Sequence, residues 1–227
     1  MLNKFPKPFF HGWRYRQLFW SIIALFLFVS FVDIPFAANI TSFLLSLTIF
    51  LMVRTAAVTG YWRRILNGLI IGALGGSISN ILIQDHSISQ KISTFADVIF
   101  VIFLGVAIAT LSRQLNGASK VDQDIITGAI CVYLLIGIFW FLLYRIVFNF
   151  NPENFIELQE NECNPDFTLL YFSFTTLTTV GYGDITPTAS AAMGLANLES
   201  IVGQLYPAIF VARLVSLYTV TLQDDGD

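Results

Sequence analysis

The chain has 227 residues, of which 56% are hydrophobic and 12% are charged. Soluble domains carry about 25% charged residues, so this composition excludes an ordinary soluble protein. The formal net charge of −3 comes without a basic stripe, which gives no indication of a nucleic-acid partner.

Apolar stretches of roughly membrane-spanning length recur along the chain. Helices satisfy their own backbone hydrogen bonds in lipid, so the pattern predicts an all-α membrane protein with six transmembrane helices. The second stretch in chain order, Ile40–Val53, is short and needs flanking residues to cross a hydrocarbon core about 30 Å thick. The five long stretches and the short one are Leu18–Val32, Ile65–Ile83, Ile92–Leu111, Ile125–Phe148, Ser190–Leu217 and Ile40–Val53.

The basic residues predict the orientation of these helices. With the N-terminus in the cytoplasm, only Lys91 and Arg145 of the twelve Lys and Arg residues lie outside. We therefore expect a multi-pass protein of the plasma (inner) membrane with both termini cytoplasmic. Cys131 in an apolar run and Cys163 in a polar loop do not favour an intrachain disulfide, and a pairing of Cys163 between subunits stays open.

A shorter helix is predicted after the fifth span. Asn164, Pro165 and Asp166 form a typical helix start, with an N-cap, a proline in the first turn and an acidic side chain. The helix through Phe167–Thr178, about 20 Å long, enters the membrane only partway and is therefore re-entrant. Its C-terminal end carries partial negative charge toward the bilayer centre, where a cation is favoured.

The segment that follows, Thr178–Asp184, reads TTVGYGD. Gly181 and Gly183 permit backbone angles that other residues avoid, so successive carbonyl groups can face one side. Val180 and Tyr182 then direct their side chains into the surrounding protein. Non-helical backbone at membrane depth is tolerated where it is buried in protein or lines a watery path, and several such strands around an axis could replace the water around a cation.

The stretch TTLTTVGYGD, Thr175–Asp184, resembles the selectivity-filter signature of the potassium channel family. The resemblance implies a homotetramer in the lipid bilayer, in which three identical subunits complete the pore, with K⁺ as the permeant ligand and no other cofactor. The implied ion-binding segment is Thr179, Val180, Gly181, Tyr182 and Gly183, with K⁺ at the carbonyl groups of the first four and at the Thr179 hydroxyl. The residues expected to support the filter are Thr175, Thr178, Asp184 and Glu199.

The last span carries the candidate gating residues. Gly203 lies where the resembled family has its hinge glycine, and Pro207 removes a backbone hydrogen bond and bends the helix. A close-packing contact is the alternative role for Gly203. Helical spacing makes four further residues candidates for the lining of the inner cavity: Gln204, Ala208, Val211 and Val215.

Glu199 is an ionisable residue inside the same span, and such residues usually face the protein interior. It could place charge near the cavity, or lie behind the filter and hydrogen-bond Thr175 or Thr176. We favour the position behind the filter.

The fourth span departs from voltage-gated relatives, because Ser93–Ser112 contains no Lys or Arg. Steep voltage dependence needs three to four gating charges per subunit, so we expect a channel that is not strongly voltage-gated. Asp97 in this span is expected to hydrogen-bond a neighbouring helix. The predicted organisation is a cytoplasmic interfacial segment, four peripheral helices, a pore domain and an acidic cytoplasmic tail, at residues 1–17, 18–120, 121–218 and 219–227.

The sequence thus predicts a K⁺-selective channel that conducts passively. The alternatives are a non-selective cation channel and a non-conducting regulatory or scaffold subunit. An enzyme is not favoured, because the membrane segments hold no Ser/His/Asp set, metal-ligand cluster or phosphate loop.

Overall fold

A computed structural model describes residues 14–31, 47–48, 86–117, 122–151, 154–156 and 165–224 of the chain. The predicted third span, Cys163 and the predicted interfacial segment before residue 14 lie outside the described residues, as does nearly all of the predicted second span. In chain order, the elements are α1 (Arg14–Phe31), α2 (His86–Asn116), α3 (Gln123–Phe150), β1 (Phe155–Ile156), α4 (Pro165–Leu177), β2 (Thr186–Pro187) and α5 (Ser190–Asp224).

The described helices are those of an integral all-α membrane protein. Three of them contain segments that are long and apolar enough to cross a membrane: Gln90–Asn116, Gln123–Phe150 and Ser190–Ser216. A shorter apolar stretch, Tyr15–Phe28, lies in α1. The sequence did not predict the two short strands.

Helix α3 lies at the centre of the described structure. It packs against α1, α2, α4 and α5, and 61% of its most apolar stretch is buried. The helix begins after Asp122, whose Oδ1 accepts a hydrogen bond from the backbone N–H of Ile125 at 2.8 Å. By contrast, only 11% of the most apolar stretch of α5 is buried, so α5 is the least buried of the three helices that could cross a membrane.

A buried charge bridge joins α2, α3 and α4. Arg145 of α3 donates from Nε to Asp97 Oδ2 of α2 at 2.9 Å, and from Nη2 to Asp97 Oδ1. Its remaining nitrogen, Nη1, lies 3.6 Å from an oxygen of Asp166 in the first turn of α4. Asp97 therefore does bond to a neighbouring helix, as the sequence predicted, and the guanidinium extends the link to the start of α4.

The short strands connect the chain on either side of α4. Phe155 pairs with Pro187 and Ile156 pairs with Thr186 in an antiparallel ladder. The buried ring of Phe155 packs edge-on against Tyr144 of α3 and Phe172 of α4, with centroids 5.8 and 5.6 Å away. The segment leaving the TTVGYGD motif is thus anchored to the helix core.

Asp97→Ala should lower the free energy of unfolding by about 3–5 kcal/mol, because it leaves the buried Arg145 charge without its bidentate partner. Thermal unfolding of the detergent-purified protein measures this as a lower midpoint. Lys91→Ala removes an exposed charge from the same helix and should change the midpoint little. Equal shifts for the two variants would contradict a stabilising role of the bridge.

Candidate functional site: the TTVGYGD segment and its supports

Helix α4 delivers the chain to the motif. It begins at Pro165, as predicted, and ends at Leu177, one residue before the predicted end at Thr178. It packs against α3 at Gly137, where an added Cβ would lie 2.6 Å from the ring of Phe174. The glycine therefore lets α4 approach α3 closely along its second half.

The last carbonyl groups of α4 hold the start of the motif by hydrogen bonds. The Thr175 carbonyl accepts from the N–H groups of Val180 at 2.9 Å and Gly181 at 3.2 Å. The Thr176 carbonyl accepts from the Thr179 N–H at 3.0 Å. The helix end is thus closed by the residues that follow it.

These bonds fix the direction of two carbonyl groups. In a planar trans peptide the N–H of one residue points opposite to the C=O of the residue before it. Because the N–H groups of Val180 and Gly181 point at Thr175, the carbonyl groups of Thr179 and Val180 point away from α4. The two carbonyls therefore face the same side, as the sequence prediction required.

Backbone angles in the motif alternate. Thr179, Gly181 and Gly183 have φ values of 59°, 53° and 80°, whereas Val180 and Tyr182 between them stay at negative φ. Gly181 and Gly183 were the residues expected to adopt such angles, but Thr179 was not. A left-handed β-branched residue is strained, at a cost of about 1–3 kcal/mol, and such strain clusters at functional sites.

The described part of the chain leaves the motif uncovered. The side chains of Val180 and Tyr182 are 52% and 71% exposed, so the surrounding protein that the sequence predicted for them does not come from the described part of the same chain. The Tyr182 ring lies parallel to the ring of Tyr171 of α4, with centroids 6.3 Å apart. One ring face is thereby supported by α4.

Tyr171 also holds the end of the motif. Its hydroxyl donates to Asp184 Oδ2 at 2.7 Å, while Asp184 Oδ1 accepts from the Ile185 N–H at 3.1 Å. A tyrosine hydroxyl is protonated at neutral pH, so Tyr171 has the hydrogen that this bond to Asp184 requires. Sequence reasoning missed Tyr171, although a tyrosine on a re-entrant helix needs an acceptor for its hydroxyl.

The two threonines expected to support the filter act through the backbone. The Thr175 hydroxyl donates to the Phe172 carbonyl at 3.0 Å and the Thr178 hydroxyl donates to the Phe174 carbonyl at 2.6 Å, both within α4 or at its end. Thr175 touches the motif through its own carbonyl. The sequence prediction named Thr175 as a support of the filter, but it did not foresee that the backbone carbonyl oxygen makes the contact.

Gly203 of α5 lies against the end of α4. A Cβ at Gly203 would overlap the backbone carbonyl of Leu177. The same carbonyl accepts a hydrogen bond from the Tyr133 hydroxyl of α3 at 3.3 Å. Helix α5 runs without a break through Gly203 and Pro207, so the contact shown here is the close-packing alternative, and the hinge stays a prediction.

The four candidate cavity residues stand on exposed positions of α5: Gln204, Ala208, Val211 and Val215. Pro207 beside them is exposed as well. Nothing in the described part of the chain encloses a cavity around them. Their role in lining a cavity stays a prediction.

Glu199 is fully buried between α3, α4 and α5. Its Oε2 accepts from the Tyr144 hydroxyl at 2.5 Å, and its Oε1 lies 2.6 Å from Ser173 Oγ. The prediction that Glu199 hydrogen-bonds Thr175 or Thr176 is wrong. Its partner on α4 is Ser173, which lies about one helical turn before those two threonines. Ser173 and Tyr144 were not foreseen as its partners.

Part of the chain matches a model of a known protein family. Residues 128–220, which run from α3 into α5, match the family model described as "Ion channel". No curated protein matches the chain. The family match supports an ion channel. The match covers the TTVGYGD motif, all of α4 and most of α3 and α5.

Gly203→Ala should lower the unfolding midpoint and disturb the end of α4, since overpacking against a backbone group typically costs about 1–3 kcal/mol. Gly194→Ala is the matched control on the same helix. Among the described residues, a Cβ there meets nothing within 4 Å, so the protein should be unchanged or gain about 0.5–1 kcal/mol from helix propensity. Thermal unfolding of both variants in detergent tests the contact, and a tolerated Gly203→Ala would refute it.

Proposed function

We propose that this protein is a homotetrameric, K⁺-selective channel that conducts passively across the membrane. In it, the backbone carbonyls of Thr179–Tyr182 from four chains replace the hydration shell of K⁺. The observation that carries the proposal is the direction of the carbonyl groups of Thr179 and Val180, which both point away from α4. The alternation of positive and negative φ extends from Thr179 to Gly183.

The uncovered surfaces of the chain support an assembly of identical copies. The side chains of Val180 and Tyr182 are exposed, and they follow α4, which lies within the residues that match the "Ion channel" family model. Helix α5 exposes a stripe of large apolar side chains at helical spacing: Ile201, Leu205 and Ile209. A contiguous apolar surface of this kind is typical of a protein interface or of lipid contact. With one motif per chain, the resemblance to potassium channels makes the number of copies four.

The construction of α2 supports weak voltage dependence. The segment Ser93–Ser112 has no basic side chain, and a helix without gating charges gains little energy from the membrane field. The Asp97–Arg145 pair also fastens α2 to α3. We therefore expect the conductance to vary little with voltage.

Purified protein in liposomes should carry K⁺ with little Na⁺ flux. Gly181→Ala should abolish or degrade this selectivity, because the residue has a φ of 53° and an L side chain is strained there. Gly194→Ala serves as the control and should keep the wild-type flux. Equal K⁺ and Na⁺ fluxes would favour the non-selective channel, and no flux at any voltage tried would favour the non-conducting subunit.

Tyr171→Phe removes the hydroxyl that bonds Asp184 and keeps the ring that stacks on Tyr182. We expect the outer end of the filter to loosen, so that K⁺/Na⁺ selectivity falls or the current decays faster during sustained conduction. Tyr206→Phe is the control, since the Tyr206 hydroxyl bonds the Ala129 carbonyl of α3, not the motif. Single-channel recordings of both variants measure the difference. Wild-type behaviour of Tyr171→Phe would exclude Asp184 anchoring as a support of the filter.

A further inference from the structure

A polar cluster lies inside the apolar core of the described helices. It consists of Glu199 from α5, Tyr144 and the Gly137 carbonyl from α3, and Ser173 from α4. Glu199 and Ser173 are fully buried, as is the Tyr144 ring. All of its members lie within membrane-crossing helices or in α4. Water is therefore not at hand to supply missing hydrogen-bond partners.

Three short oxygen–oxygen contacts connect the cluster. Tyr144 Oη lies 2.5 Å from Glu199 Oε2, and Ser173 Oγ lies 2.6 Å from Glu199 Oε1. Ser173 Oγ also lies 2.8 Å from the carbonyl oxygen of Gly137. These separations are those of O–H···O hydrogen bonds, and each such bond needs one hydrogen.

The number of hydrogens depends on the charge of Glu199. The Tyr144 and Ser173 hydroxyls supply one hydrogen each, and an ionised carboxylate supplies none. Two hydrogens cannot fill three contacts, so an ionised Glu199 would leave two acceptor oxygens facing each other.

A proton on Glu199 completes the cluster in one way. The Gly137 carbonyl can only accept, so it must take the Ser173 hydrogen. The proton on Glu199 Oε1 then fills the contact with Ser173 Oγ, and the Tyr144 hydroxyl donates to Oε2. Every hydrogen and every acceptor of the three contacts is then used.

The charge environment agrees with this count. Among the described residues, no ion pair forms at Glu199 within 4.0 Å, whereas Asp97 is paired with Arg145. The ionisable groups of the described residues that interact with Glu199 are the tyrosines Tyr144 and Tyr133 of α3. An unpaired buried carboxylate is costly, and a protonated carboxyl removes that cost.

We infer that Glu199 is a neutral carboxylic acid that donates to Ser173 and braces α5 against α3 and α4, so that it contributes no charge to the pore. As a positioning residue it holds α4, and through α4 the start of the TTVGYGD segment. The protonation state stands on the hydrogen bonds alone, whereas its consequence for conduction rests on the proposed channel function.

Infrared difference spectroscopy of wild type against Glu199→Gln tests the protonation at neutral pH. We expect the wild type to show a C=O stretching band of a protonated carboxylic acid that the variant loses. Asp97→Asn is the matched control, because that buried carboxyl has an arginine partner and should contribute only carboxylate bands. If Glu199→Gln removes carboxylate bands instead, the inference is wrong.

Flux measurements in liposomes test the brace. The amide of Glu199→Gln can donate to Ser173 and accept from Tyr144, so this variant should keep the K⁺ flux, the K⁺/Na⁺ selectivity and the single-channel conductance of the wild type. Glu199→Leu cannot form either bond and should lose selective flux, as should Ser173→Ala in part. A lower conductance in Glu199→Gln would contradict the inference, because it would mean that a negative charge had been removed from the pore. If the wild type itself carries no flux, the channel proposal fails while the infrared result still decides the charge of Glu199.

Discussion

The Thr175 carbonyl accepts hydrogen bonds from two successive N–H groups of the motif and so sets the direction of the backbone there. A helix normally leaves its last carbonyls to solvent or to a capping residue. Here the chain turns back on the helix end, and a planar peptide then forces the carbonyl groups of Thr179 and Val180 to the opposite side. A strained φ at Thr179 accompanies this turn. The chemistry of the site is therefore set by backbone direction, and the side chains serve to hold that backbone in place.

The supports surround α4 at both ends and along its length. At its start, Asp166 faces Arg145, which also binds Asp97 of α2. At its middle, Ser173 meets Gly137 and Glu199. At its end, the Leu177 carbonyl accepts a hydrogen bond from the Tyr133 hydroxyl and packs against Gly203. The Tyr171 hydroxyl donates to Asp184. These contacts join α4 directly to α3 and α5, and through Arg145 to α2. A short helix needs such contacts, because 13 residues contribute little stability alone.

The sequence predicted the longer helices that the structure describes and the position of the motif, because hydrophobic length and glycine spacing are local signals. Positive φ at Gly181 and Gly183 followed from the missing side chain, whereas Thr179 adopts the same region against its own preference and only the surrounding bonds impose it. Helical spacing placed Glu199 on a face with Gly203, yet it could not choose among α4 residues one turn apart, which is why Ser173 was missed. Tyr171 was overlooked for a related reason, since its partner Asp184 is close only after the chain has turned back. The described part of the chain leaves side chains of the motif and of α5 exposed, and local sequence patterns do not indicate what covers such surfaces.

We propose that one chain forms one quarter of a pore whose wall is the backbone of Thr179–Tyr182. Electron cryo-microscopy of the protein in lipid nanodiscs with K⁺ tests it most directly. We expect a fourfold particle with ion density along the axis, level with these carbonyl groups, and a change in that density when Na⁺ replaces K⁺. A particle that contains a single chain, or a motif whose carbonyls face lipid or protein instead of a shared axis, would contradict the account.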